Sequence, residues 1–329
     1  MRDTPDGIPW YLRRRYAGAP HLPPLADVGG PSAQYAMHMN PLITPLWLAA
    51  HIDDPGTVVL DATLPPVGVT PAVDTRARYL AQHIPGAVFF DIDELSDHST
   101  GLPHMLPSAE DFARSMSQLG VGDRQTIVVY EQEGVWSAPR AWWMLRTFGA
   151  QDVHILDGGL RAWIEAGLPT ESGPASATGS AALSGSVQRA PAHFEARFDQ
   201  NAVKDFAQVQ RMIAEHGQIL DARSAGRFTG SAPDPRPGLS SGHMPGAINV
   251  HYAELAEAGR MKPAEKLREL FQEKGVDMTK PITTTCGSGV TAAVISLALE
   301  LCGAKNVTLY DGSWAEYAQK RGAVIEKSV

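Results

Sequence analysis

The sequence predicts an α/β protein of two tandem domains, each a parallel sheet with helices on both faces. Three observations carry this: an internal duplication, an alternation of short β-branched runs with helical patterns in both copies, and glycine loops where predicted strands end. A repeat is sought first because missing it misreads the whole fold.

Residues 1–38 mix Gly, Pro and scattered aromatics without periodicity and read as an N-terminal extension, with Met37 or Met39 as an alternative start. A first domain is expected over 39–171, with strands at 57–61, 126–130 and 153–156. Its helix Ala138–Phe148 is closed by Gly149, as helices often are. Residues 172–192 are rich in Gly, Ala, Ser and Pro, bury too little to fold alone, and read as a linker. The second domain is expected over 193–329, with strands at 218–221, 282–285 and 307–310 and a helix Thr291–Leu301 closed by Gly303.

The duplication is ordered. Val58-Val59-Leu60-Asp61-Ala62 matches Gln218-Ile219-Leu220-Asp221-Ala222, and His83-Ile84-Pro85-Gly86-Ala87 matches His243-Met244-Pro245-Gly246-Ala247 at the same separation. Ile127–Glu131 then aligns with Ile282–Cys286, and Leu156-Asp157-Gly158-Gly159 with Tyr310-Asp311-Gly312-Ser313. Strand, loop, helix, strand in succession implies a parallel sheet covered on both sides, with ligands beyond the carboxyl ends of the strands.

A chain of 329 residues suits two cores. Its formal charge of -8 argues against a nucleic-acid partner, although a cleft can still focus a local basic field. The only cysteines are Cys286 and Cys302, which excludes a disulfide framework or a Cys-rich zinc site and fits a reducing compartment. No apolar run approaches the roughly 20 residues of a membrane span. Arg13-Arg14-Arg15 is followed by no signal-like apolar stretch. A cytoplasmic protein is expected, without membrane association.

The chemistry is expected at Cys286-Gly287-Ser288-Gly289-Val290-Thr291, between a Thr-rich strand and an Ala-rich helix. Two glycines let successive N–H groups turn inward as an anion nest, and the helix N-terminus adds its dipole. A thiol there is expected to ionise readily. The alternative is an inert core thiol. A cysteine phosphatase needs an arginine six residues after its cysteine, and that position is Ala292. Cys302, near the end of an apolar helix, is expected to be structural.

Together, the duplication, Tyr79-x3-His83-Ile84-Pro85-Gly86-Ala87 and the C-terminal Val307-x2-Tyr310-Asp311-Gly312-Ser313-Trp314-x-Glu316-Tyr317 resemble the signature segments of rhodanese-type sulfurtransferases over roughly residues 42 to 325. The loop resembles that of the mercaptopyruvate branch; the thiosulfate branch tends to place basic residues directly after the cysteine. The resemblance implies tandem rhodanese-like domains and sulfur carried on Cys286, passing from mercaptopyruvate to a thiol or cyanide. A thioredoxin-like protein is one implied thiol acceptor. No metal or organic cofactor is expected, and His98, His104, Asp93 and Asp97 form no recognisable ligand pattern. A thiosulfate sulfurtransferase and a non-enzymatic sulfur-carrier or regulatory module stay open as alternatives.

The same resemblance assigns Arg227 and Arg236 to the donor's carboxylate, a task that suits the guanidinium fork. They are expected at some distance from the loop, so that adding cations by Gly287→Arg with Ser288→Lys should favour thiosulfate. The loop residues Gly287, Gly289, Val290 and Thr291 are expected to cradle the sulfur. Asp93, His104 and Ser288 are implied as a triad, the alternative being that they shape the domain interface. Arg223 is expected to pair with Asp221. His83 and His243 recur in both halves and are expected to be structural. Glu131 stands where the other half has its thiol, so the first half is expected to be a non-catalytic wall of the cleft.

Overall fold

A computed structural model describes residues 40–67, 72–174 and 192–328 of the chain. The predicted extension and most of the predicted linker lie outside these residues.

The first half runs β1 (Leu42–Ile43), α1 (Pro45–His51), β2 (Thr57–Asp61), α2 (Thr75–Ala81), β3 (Val88–Phe89), α3 (Ala109–Gln118), β4 (Thr126–Tyr130), α4 (Ala138–Thr147), β5 (Asp152–Leu156) and α5 (Gly159–Glu165). Its sheet has the order β1-β5-β4-β2-β3, all parallel. The second half begins with β6 (Val203–Lys204), α6 (Phe206–Ala214), β7 (Gln218–Asp221), α7 (Ala225–Thr229) and β8 (Ile248–Asn249). After the antiparallel pair β9 (Ala256–Glu257) and β10 (Arg260–Met261) come α8 (Ala264–Glu273), β11 (Ile282–Thr285), α9 (Ala292–Leu301), β12 (Val307–Tyr310) and α10 (Ser313–Tyr317). Its main sheet, β6-β12-β11-β7-β8, repeats the order and parallel sense of the first.

Alternate residues of one strand point to opposite faces, and here they feed separate cores. Val58 and Leu60 of β2 join the cluster around α3 and α4, whereas Val59 joins Leu48 of α1 and Trp163 of α5. In β7, Leu220 and Ile219 divide in the same way. Helices therefore cover both faces of each sheet.

One apolar cluster crosses between the halves. Ala141, Trp142 and Leu145 of α4 belong to the same buried group as Val294, Ile295 and Leu297 of α9. Enclosed by its own sheet and by the other half, α9 is apolar all round, with every residue from Ala292 to Leu299 buried. The predicted Ala-rich helix is thus a shared element of the two cores.

His83 and His243 do the same work in each half. Nδ1 of His83 bonds the Tyr79 carbonyl at 2.9 Å, and Nδ1 of His243 bonds the Phe228 carbonyl at 2.9 Å. Their backbones bridge to Glu171 and Glu326, tying the end of each half to its body. Arg223 is buried against Asp221 at 2.6 Å and stacks 4.0 Å above Trp314, in keeping with its expected pairing.

Candidate active site

In register, Thr285 of β11 lies beside Asp221 of β7, as Tyr130 of β4 lies beside Asp61 of β2. Cys286 and Glu131 therefore leave the two sheets at equivalent points. The carbonyls of Cys286 and Gly287 accept hydrogen bonds from Trp314 and Ala315 of α10, at 2.9 and 3.0 Å. With the carbonyls held outward, the loop turns its other side in. None of the backbone N–H groups from Gly287 to Thr291 finds an acceptor among the described residues. The Cys286 N–H itself donates to Ser313 Oγ at 3.3 Å.

The first half displays what such a loop can hold. Glu131 is buried, and its carboxylate accepts from the Trp136 N–H at 2.8 Å, the Ala138 N–H at 3.2 Å, and the N–H and hydroxyl of Ser137 at 3.2 and 3.1 Å. A carboxyl group occupies the position equivalent to the cradle that the second half offers to the charge on Cys286. Burial still pushes the Glu131 carboxyl up to about 7, against those donors.

Cys286 opens on a cavity of about 640 Å³ between the halves, lined by Gly287, Ser288, Val290, Thr291, Arg227 and Arg236 from the second half and by His104 from the first. The two arginines lie closer to the loop than expected. A Cβ on Gly287 would come 2.8 Å from Arg236 Nη1 and 3.0 Å from Arg227 Nη2. A side chain here would have to push the ends of the two arginines aside. Asp234, whose side chain is fully buried, accepts from Arg227 Nη2 at 2.6 Å and from the Arg236 N–H at 3.0 Å, which aims both side chains. Burial lowers the Arg236 guanidinium from its usual range, while the charge of Cys286 and Asp234 opposes that effect.

Gly289 is not among the residues lining the cavity, and at φ +80° a Cβ on it would meet Arg140 Nη1 at 2.8 Å and the Asp311 carbonyl at 3.2 Å. Its small size serves the contact between the halves.

Asp93, His104 and Ser288 come together across the interface. His104 Nδ1 is 2.8 Å from Ser288 Oγ, and His104 Nε2 is 2.8 Å from Asp93 Oδ1. The tautomer with its proton on Nε2 donates to Asp93 and leaves Nδ1 to accept from the serine hydroxyl. The hydrogen bond from His104 lowers the Asp93 carboxyl below its ordinary range. Ser288 Oγ also accepts from Arg236 Nη2 at 3.0 Å, so a fixed cation favours negative charge on that oxygen.

Sequence reasoning missed the group that holds this arrangement. His104 sits at φ +59°, an uncommon region for a residue with a side chain. Its carbonyl accepts from Arg140 Nη2 at 2.6 Å. Arg140, fully buried on α4, also reaches Asp311 Oδ1 at 2.7 Å, and Asp311 Oδ2 accepts from the Leu106 N–H at 2.8 Å. The available signal was the Asp311-Gly312 motif, whose carboxylate needed a partner.

Cys302 is half-buried, its thiol 3.7 Å from the Ala264 carbonyl, and burial raises its pKa. Among the described residues no helix is long and apolar enough to cross a membrane.

Comparison with known proteins adds four findings. The family model for the rhodanese-like domain matches residues 44–166 and 205–320. The 3-mercaptopyruvate sulfurtransferase of Escherichia coli K12 is 44% identical over 286 residues, covering 85% of this chain and 95% of that protein. The thiosulfate sulfurtransferase of Gallus gallus is 42% identical over 248 residues, 74% of this chain and 81% of that one. A crystal structure of an Escherichia coli 3-mercaptopyruvate sulfotransferase superposes with a TM-score of 0.75 at 43% identity, over 84% of this chain and 99% of that one.

Proposed function

The chain belongs to the rhodanese-like family, and from that premise we propose that it is a sulfurtransferase that takes sulfur from 3-mercaptopyruvate through a persulfide on Cys286. The observation that carries this reading is the convergence of Arg227 and Arg236 on Gly287, beside the thiol. That pair fits a donor with one carboxylate next to its transferable sulfur.

In the proposed cycle the Cys286 thiolate attacks the donor's sulfur. A new S–S bond forms, the donor's C–S bond breaks, and its electron pair passes to the three-carbon fragment as pyruvate enolate. Ser288, polarised by Arg236 and held by the His104–Asp93 pair, gives its proton to the enolate carbon to complete pyruvate and regains one from the donor-derived S–H, which leaves the outer sulfur of the persulfide charged. The loop N–H groups stabilise the charged sulfur as the Glu131 cradle stabilises its carboxylate. A thiol or cyanide then removes the outer sulfur and restores the thiolate, the ping-pong pattern of covalent catalysis. A thioredoxin-like protein is the macromolecular acceptor in this reading. Free cysteines suit a reducing compartment, and we assign the protein to the cytoplasm.

Thiosulfate is the second donor reading, favoured by the 42% identity to the Gallus gallus protein. Against it, Gly287 and Ser288 add no cation to the Arg227 and Arg236 pair, which suits a single carboxylate. Assays with both donors, paired with mass spectrometry of Cys286 and Cys302 peptides, test the proposal. Pyruvate release and one added sulfur on Cys286 are expected. Preference for thiosulfate would move the chain to the other branch, and sulfur on Cys302 would reassign the nucleophile.

A further inference from the structure

A thiol acceptor arrives largely protonated, yet only its thiolate attacks a persulfide. His104 is poorly placed to take that proton, because Ser288 and Asp93 engage both of its ring nitrogens. A second imidazole lines the same cavity as Cys286. His251 is half-buried there, and neither ring nitrogen has a hydrogen-bond partner among the described residues.

Its position is well anchored. His251 follows β8 between Val250, which is fully buried, and the half-buried Tyr252, whose N–H donates to the Ala222 carbonyl at 3.2 Å. The His251 ring meets the edge of Tyr252 at 5.0 Å. The charged groups acting on it are Glu254 on its own short turn, Lys274 just after α8, and Arg227 of α7. Glu254 and Lys274 pair at 2.9 Å and largely cancel, leaving Arg227, which reaches back to Gly287 beside the thiol.

Resting on the sulfurtransferase reading above, we propose that His251 is the general base for thiol acceptors. A free ring nitrogen takes the S–H proton, and the resulting thiolate bonds the outer sulfur of the Cys286 persulfide. The bond from that sulfur to Cys286 Sγ breaks, and its electron pair returns to Sγ as the thiolate. The imidazolium then releases its proton to the departing persulfide or to solvent, so no other reactant is needed. Burial lowers the pKa of His251, which keeps it neutral and able to accept a proton near neutral pH.

The test compares acceptors that do and do not carry a proton. Enzyme is loaded with mercaptopyruvate, pyruvate release is recorded, and sulfur transfer is followed at pH 8 to 2-mercaptoethanol and to sulfite, which has no proton to lose. In His251→Gln and His251→Ala, the rate ratio of 2-mercaptoethanol to sulfite is expected to fall at least about tenfold, less than the roughly 100-fold low end of general-base contributions because part of the thiol is already ionised at pH 8. Added imidazole should restore the ratio in His251→Ala. An unchanged ratio, whether both rates hold or both fall, overturns the role of His251. If wild type releases no pyruvate, the sulfurtransferase reading fails first and the inference falls with it.

Discussion

Arg140 of the first half and Asp311 of the second lie 2.7 Å apart with both side chains buried, and each also holds a backbone group of the 104–106 segment. The contact between the halves and the setting of His104 are thus one structure. Removing one partner of a buried pair typically costs about 3–5 kcal/mol, because the other charge is left unpaired. Arg140→Ala is expected to lose stability in that range by urea unfolding. Arg140→Lys keeps the charge but lacks the fork that reaches the His104 carbonyl and Asp311 together, so it should fold and lose kcat more than donor affinity. Wild-type kcat in Arg140→Lys would show that alignment of His104 does not depend on this contact.

His104, Ser288 and Asp93 form one hydrogen-bonded chain, and groups acting as a unit are strongly non-additive. His104→Ala and Ser288→Ala should each slow pyruvate release, and the double variant should be little slower than the worse single one. Independent, multiplying losses would leave these residues as interface contacts only.

Gly287 separates two guanidinium groups, and this changes the expected effect of placing cations on the loop. Gly287→Arg with Ser288→Lys must displace Arg236 and Arg227 and remove the hydroxyl bonded to His104. Its kcat/KM for mercaptopyruvate should fall roughly 10- to 100-fold, as for loss of charged hydrogen bonds worth about 1.5–3 kcal/mol. The preference then shifts toward thiosulfate by loss of the first donor. Gly287→Ala isolates the steric part and should raise KM for mercaptopyruvate. An unaltered KM would mean that the arginines yield freely.

Glu131 makes stability depend on pH. Its folded value of about 7 lies above the ordinary 4.5, so folding takes up a proton between those limits. Stability therefore falls as pH rises through this window, and the loss is complete above about pH 7. At roughly 1.4 kcal/mol per unit the decline reaches about 3 kcal/mol. Urea unfolding at pH 5 and 7.5 should show most of that decline in wild type relative to Glu131→Gln. A difference between the two proteins that does not vary with pH would place the Glu131 titration lower.

The sequence alone determined the repeated α/β plan, because each half carries its own strand periodicity, glycine-closed helices and the Asp61/Asp221 and His83/His243 pairs. It also exposed the Cys286 loop, whose glycines and following helix are local signals. The short strands β1, β3, β6 and β8 left no such signal, since two residues cannot display a period. Asp93, His104 and Ser288 could be named through family resemblance, but their contact is a property of the folded pair, since His104 and Ser288 are 184 positions apart. Arg140, Asp234 and His251 look ordinary in the sequence because their meaning lies in what surrounds them. Arg140 reads as one more helical arginine until α4 packs on α9 and brings it to Asp311, 171 residues away. Spacing along the chain reports groups that share an element, whereas a buried ion pair or a free imidazole in a cleft exists only after packing removes water around it.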